Sequence, residues 1–189
     1  MTINSSSSVT EKRISKMYLN EVYFWTASIV GWKHLLKPDK YKELIISSLT
    51  NLILRRKIKV YGFVIMPNHV HLVWEMLDMN GKELPNTSFM KWTAHQLQAD
   101  LRINHPVVLE RFSVEKKDRC YQFWQRDPLA VNMYSRTVCE QKLQYIHLNP
   151  LQAHWNLSKH PEEYSWSSAN YYEKGIDRWG MLTHYMDRF

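Results

Sequence analysis

Cysteine is scarce in this chain. Only Cys120 and Cys139 occur among 189 residues, with no C-x-x-C spacing and no paired framework. A disulfide-stapled secreted domain and a cysteine zinc site are thereby excluded, and a reduced cytoplasmic setting is the expectation. Long apolar runs are also missing. No stretch is long enough to cross a bilayer, and the opening "MTINSSSSVTEKRISK" has no apolar segment of signal-peptide length, so the reading is of a soluble protein with no membrane partner. No H-E-x-x-H is present to build a protease zinc site, and there is no internal repeat and no sign of a second domain.

What the chain does have is positive charge. Twenty-five Lys+Arg face eighteen Asp+Glu, a net +7, and this balance favours a polyanionic partner through its field and through counterion release. Hydrophobic residues at 44% and charged residues at 23% suit a globular fold, and the length is enough for one core without staples.

Residues 1–13 read as a flexible leader, and 14–189 as a single domain with a C-terminal extension from about 155. Aromatic and β-branched residues over 17–32 predict a strand. Tyr41, Leu44, Ile45, Leu49 and Leu52 recur at helical steps, which predicts a helix over 37–57. Residues 58–66 and 69–75 read as a tight hairpin turned at Pro67 and Asn68. A second helix is expected over 88–104 and a last strand over 121–134, edged by Pro128. A third helix follows over 135–150, with Thr137 and Glu140 in capping-box spacing and Pro150 as its stop. The order β-α-β-β-α-β is the ferredoxin-like arrangement of an α+β protein: an antiparallel sheet with helices on one face, here followed by an additional C-terminal helix.

The chemistry concentrates in "VYGFVIMPNHVHLVWE", residues 60–75. Alternation along a strand puts His69 and His71 on one face, about 7 Å apart, and Val70, Leu72 and Trp74 on the other. One face is then core and the other is free for chemistry. Two imidazoles at this spacing can tilt toward one divalent ion, although two half-exposed histidines beside a sheet would give the same pattern. The acid and further histidine of an H-x-H-x-D-H zinc hydrolase are replaced by Val73 and Trp74. A site with few protein ligands keeps positions open for a substrate oxygen such as a scissile phosphate. In the third helix Tyr145 and Asn149 stand four residues apart, off the packing stripe of Cys139, Leu143 and Ile146. A phenol there could attack a phosphate and Asn149 could supply a neutral oxygen, but tyrosine at an interface and asparagine at a helix end are equally ordinary. Pro150 is expected to push Asn149 out of helical dihedrals, leaving the direction of its side chain open.

Taken together, "GFVIMPNHVHLVW", "LQYIHLNPLQAHW" and "HPEEYSWSS" closely resemble the REP-associated tyrosine transposases, a branch of the single-tyrosine HUH transposase superfamily, over about residues 17–172. The resemblance implies that His69 and His71 hold a divalent metal, Mg²⁺ or Mn²⁺, with Asn149 as a polar third ligand. It implies that Tyr145 cleaves single-stranded DNA, leaving a 5′-phosphotyrosine and a free 3′-hydroxyl. It further implies a hairpin-forming DNA substrate and a monomer or homodimer. Where the family has "NPVRA" this chain has "NPLQA", so Gln152 stands in place of an arginine and a phosphate contact there is not carried over.

Basic residues that could position a DNA backbone are Arg55, Arg56, Lys57 and Lys59 beside the hairpin, and Lys116, Lys117 and Arg119 before the last strand; each cluster reads equally well as a solvated face. A non-catalytic single-strand binder of RRM-like topology, an inactive domesticated transposase and a phosphodiesterase using water are the rival readings.

Overall fold

The computed structural model describes residues 16–116 and 119–189; the expected leader over 1–13 and Lys117 fall outside them. Strand β1 (Val22–Ser28) is shorter than expected because Gly31 and Trp32, both at positive φ, turn the chain into a single 3-10 turn. Helix α1 (Asp39–Leu54) buries Tyr41, Ile45, Ile46, Leu49 and Leu52, and it stops where Arg56 takes φ +55°. Strands β2 (Ile58–Ile65) and β3 (His69–Met76) form the anticipated hairpin, closed by a 2.8 Å bond from the Met66 amide to the His69 carbonyl.

Helix α2 (Pro85–Asn104) begins three residues before the expected start, because Pro85 at its first position brings a preset φ and needs no amide partner. A short helix α3 (Pro106–Glu110) follows the break at His105. Strands β4 (Ser113–Lys116) and β5 (Arg119–Tyr121) then make a separate two-stranded ribbon.

The last strand of the main sheet, β6, is confined to Leu129–Asn132, not 121–134. Residues 122–127 use their backbone elsewhere: the Gln125 amide donates 2.7 Å to the Ser28 carbonyl, and the Phe123 carbonyl accepts from Val30 at 2.8 Å. Helix α4 (Arg136–Leu148) is capped by Ser135, whose hydroxyl accepts from the Val138 amide, and not by a Thr137–Glu140 box. Glu140 is engaged by Arg136 at 2.9 Å and by the Tyr185 hydroxyl at 2.8 Å.

The main sheet has the order β2-β3-β1-β6, each neighbouring pair antiparallel, which is the ferredoxin-like order foreseen from the chain. Helices α1 and α2 pack on one face, where Trp25 lies 5.1 Å from Trp74 and 5.7 Å from Phe89, centroid to centroid. All three rings are at most 1% exposed, and burying each contributes about 1.5–3 kcal/mol. The opposite face is not left open as alternation suggested. Helix α4 lies over β2 and β3, so every residue of β3 is buried.

The C-terminal segment closes the β2 edge. Ile65 donates to the Trp166 carbonyl (2.9 Å), Ser168 to the Phe63 carbonyl (2.9 Å) and Thr183 to the Val60 carbonyl (2.9 Å), while helix α5 (Ala169–Lys174) places Tyr172 to bond the Tyr61 carbonyl at 2.6 Å. Pairing the edge in this way removes a template for association with other chains. Among the described residues no helix is long and apolar enough to cross a membrane.

Candidate active site

His69 and His71 lie on the α4 face of β3, as alternation requires, and their ring centroids are 4.6 Å apart, closer than the 7 Å spacing along the strand. They lean together. Each is oriented through its Nδ1 atom. Asn68 donates through Nδ2 to the Trp32 carbonyl at 3.2 Å, which turns its Oδ1 toward His69; the 2.6 Å contact there is therefore a bond from His69 Nδ1–H, and the Nε2 lone pair is left for a ligand. Thr26 Oγ1 meets His71 Nδ1 at 2.7 Å, from the strand position paired with His71. On the far side of that ring, Asn149 Nδ2 points at His71 Nε2 at 3.4 Å, so this Nε2 too carries the lone pair. Such outer hydrogen bonds are what fix the tautomer of a metal-binding imidazole.

Burial holds both imidazoles uncharged. His69 is 7% exposed and burial pushes it down to about 4, with His154 adding to the effect. His71, 5% exposed, is pushed down to about 3 by burial first, then by His69 and Lys142. At neutral pH the pair thus presents two neutral nitrogen donors.

Asn149 is only 3% exposed and keeps helical dihedrals, φ −58° and ψ −43°, despite preceding proline. The expected displacement by Pro150 does not occur. The chain passes from α4 into a 3-10 turn over Asn149–Leu151, where the Asn149 carbonyl accepts from Gln152, so the side chain stays one turn beyond Tyr145 and reaches His71. Its carboxamide would offer Oδ1 as a third donor on turning over, since Nδ2 is the atom that now faces His71 Nε2. Two neutral imidazoles and one amide oxygen fit a divalent cation with positions left over, although no group of three or more His, Cys, Asp or Glu with metal-binding geometry occurs among the described residues.

Tyr145 is 45% exposed, with its ring 5.5 Å from His71 and 6.0 Å from Phe24, itself stacked on His71 at 5.2 Å. Lys142, one turn earlier on α4, puts Nζ 4.9 Å over Phe24 and 5.8 Å over Tyr145. Tyr145 and the two histidines share a cavity of about 500 Å³ whose wall also includes Thr26, Asn149 and Trp155.

The structure therefore gathers four sequence-predicted residues, Tyr145, His69, His71 and Asn149, at one cavity. The basic clusters are not part of it. Lys59 pairs with Glu75, six residues along β3 from His69, about 20 Å at the strand rise. Arg55 and Arg56 lie at the α1–β2 junction at that same end, and Lys57 there is bridged to Asp78. Lys116 and Arg119 sit on the ribbon, Lys116 bonding Gln122 at 2.8 Å; the segment after the ribbon reaches Ser28, which pairs with His69.

Residues that sequence reasoning missed are Thr26, Asn68 and Lys142. Lys142 had a signal, standing three residues before Tyr145 on the same helix face. Asn68 reads simply as a turn former and Thr26 as one more strand residue.

No family model and no curated protein matches this chain. Among solved structures, a REP-associated tyrosine transposase bound to a REP hairpin superposes on 87% of this chain and 88% of that one, with a TM-score of 0.59 and 14% identity. The likeness is one of fold: this chain's α+β architecture around a four-stranded antiparallel sheet is consistent with that of the neighbour.

Proposed function

We propose that this protein is a metal-dependent single-stranded DNA endonuclease and strand transferase acting at hairpin-forming repeats through a 5′-phosphotyrosine. The observation that carries the reading is the placement of a half-exposed Tyr145 beside two neutral histidines and Asn149 at one cavity of about 500 Å³. Likeness to a transposase bound to a hairpin supports a DNA partner of the same form, as does the net charge of +7.

His69 and His71 through Nε2, and Asn149 through Oδ1, would hold Mg²⁺ or Mn²⁺, which supplies charge neutralisation at a scissile phosphate. Tyr145 Oη forms the new bond to phosphorus as the bond from phosphorus to the 3′-oxygen breaks. The phenolic proton passes to water at the exposed ring and the departing oxygen takes up a proton from water as a 3′-hydroxyl. Phosphate–tyrosine ester formation stores the bond energy, so the 3′-hydroxyl can reverse the step or another can replace it. Lys142 places a cation beside the phenol and favours the charge that builds up there.

The test is a denaturing gel of the protein with labelled hairpin oligonucleotides drawn from its own flanking DNA, in Mn²⁺, Mg²⁺ or EDTA. A covalent band that needs metal and vanishes in Tyr145→Phe is the expected result. Cleavage with no covalent band would replace this reading with hydrolysis by water, and tight binding with no cleavage would replace it with a binding module.

A further inference from the structure

The ring contacts in the cavity form a chain with Tyr145 at one end and two indoles at the other. Tyr145 meets His71 at 5.5 Å, His71 meets His69 at 4.6 Å, and His69 meets two indoles, Trp32 at 6.4 Å and Trp155 at 6.0 Å. Both tryptophans line the cavity. They differ in mounting. Trp155 is half-buried and packed between His34 (5.5 Å) and His154 (5.2 Å), a fixed wall. Trp32 is 57% exposed and holds φ +54°, a left-handed conformation that a bulky side chain rarely adopts. Its carbonyl is held there by Asn68, the residue that also orients His69. An exposed indole on a strained backbone gains nothing for the fold, and strain of this kind gathers at ligand sites.

We infer that Trp32 and Trp155 form a stacking site for the unpaired base on the 5′ side of the scissile phosphate. The inference rests on the proposed function above. In a displacement at phosphorus the attacking and leaving oxygens lie roughly in line, so a nucleotide that leaves with the 3′-hydroxyl sits across the phosphorus from Tyr145. That is the His69 side, where the indoles are. Flat aromatic surfaces bind any base, and their grip would keep the 3′-hydroxyl in the cavity, favouring transfer and religation over loss of the cut end.

The experiment uses the Tyr145→Phe protein, so that no chemistry intervenes, with hairpin oligonucleotides whose cut position the wild type has fixed. 2-Aminopurine is placed one nucleotide to the 5′ or to the 3′ side of the cut. Binding is expected to quench the 5′ probe much more than the 3′ probe. Trp32→Ala and Trp155→Ala should each relieve the quench and weaken binding roughly 5- to 150-fold, and Trp155→Phe should retain most of it. An abasic site at the 5′ position should bind wild type and variants alike. Circular dichroism checks that each variant is folded, and Trp32→Ala, at an exposed residue, carries the test if Trp155→Ala does not fold. A quench that survives both alanine variants, or equal losses on intact and abasic DNA, overturns the stacking site while leaving the nuclease reading standing. A wild-type protein that neither cuts nor binds any hairpin overturns both.

Discussion

Asn68 Oδ1 accepts from His69 Nδ1 at 2.6 Å, while the same carboxamide donates to the Trp32 carbonyl. One side chain therefore sets both the tautomer of His69, a proposed metal ligand, and the turn that carries an exposed indole. Asn68→Ala is expected to weaken Mn²⁺ binding about 10- to 100-fold, as removing the outer partner of a metal-binding histidine typically does. Asn68→Asp keeps an acceptor for His69, loses the donor and adds a negative charge that makes the imidazole more basic, so it should retain much more affinity. Calorimetric titration with Mn²⁺ measures both, and equal losses in the two variants would count against this role.

The donor set bears on the choice of ion. Two imidazoles and an amide oxygen, with no carboxylate, suit a first-row transition ion better than magnesium, which prefers an all-oxygen shell. Half-maximal adduct formation should require at least about tenfold less Mn²⁺ than Mg²⁺. A metal titration of the covalent band gives the ratio, and a preference for Mg²⁺ would mean that an oxygen donor not identified at the cavity takes part.

Stability should fall on mild acidification. Burial holds His69 and His147 down to about 4 and His71 down to about 3, against an ordinary 6.5. The native state thus binds fewer protons than the unfolded chain below 6.5. Stability from these groups is complete above that value and is lost as pH falls toward 4, each contributing a slope of up to about 1.4 kcal/mol per pH unit. Between pH 6.5 and 5 most carboxylates stay ionised in both states, which isolates the histidines. Urea denaturation in EDTA across that window should show the decline, and His147→Gln should flatten it by about one proton. A midpoint that does not move would contradict the prediction.

Gly62 sets how closely α4 approaches the sheet. A Cβ built there would stand 2.3 Å from Leu143 Cδ2 and 3.3 Å from both Ile146 Cδ1 and Ser168 Oγ. Gly62→Ala should overpack this contact by about 1–3 kcal/mol and lift the helix that bears Tyr145 and Asn149 off the two histidines. Adduct formation is expected to drop by more than the change in DNA affinity. Adding Leu143→Ala makes room for the methyl group, so the double variant should recover activity relative to Gly62→Ala alone. If the two substitutions simply add in both stability and cleavage, the contact is not what positions α4.

The fold order and the face carrying the histidines were legible because both follow from period-two alternation and from the spacing of turns. Tyr145 was legible with them, standing off the helical stripe of Leu143 and Ile146. The approach of α4 was not, since it depends on the missing side chain at Gly62 and on contacts more than eighty residues apart in the chain. Asn149 was misread for a local reason: the rule against helical dihedrals before proline was outweighed by the 3-10 turn that follows. The strand expected over 121–134 failed because alternation cannot tell a ladder residue from one whose amide bonds a different strand, as Gln125 does with Ser28. Thr26 and Asn68 matter through a neighbouring imidazole, and one-dimensional spacing carries no mark of that.

The closure of the β2 edge has a consequence for the order in which the molecule can be completed. Three of its bonds join residues 99, 105 and 111 positions apart: Tyr164 to Ile65, Ser168 to Phe63 and Tyr172 to Tyr61. On a ribosome the hairpin bearing His69 and His71 emerges long before these partners, at about 5–20 residues per second, so several seconds pass with its outer edge bare. During translation the histidine hairpin is the vulnerable part of the chain, and a chaperone that shields strand edges would act there first.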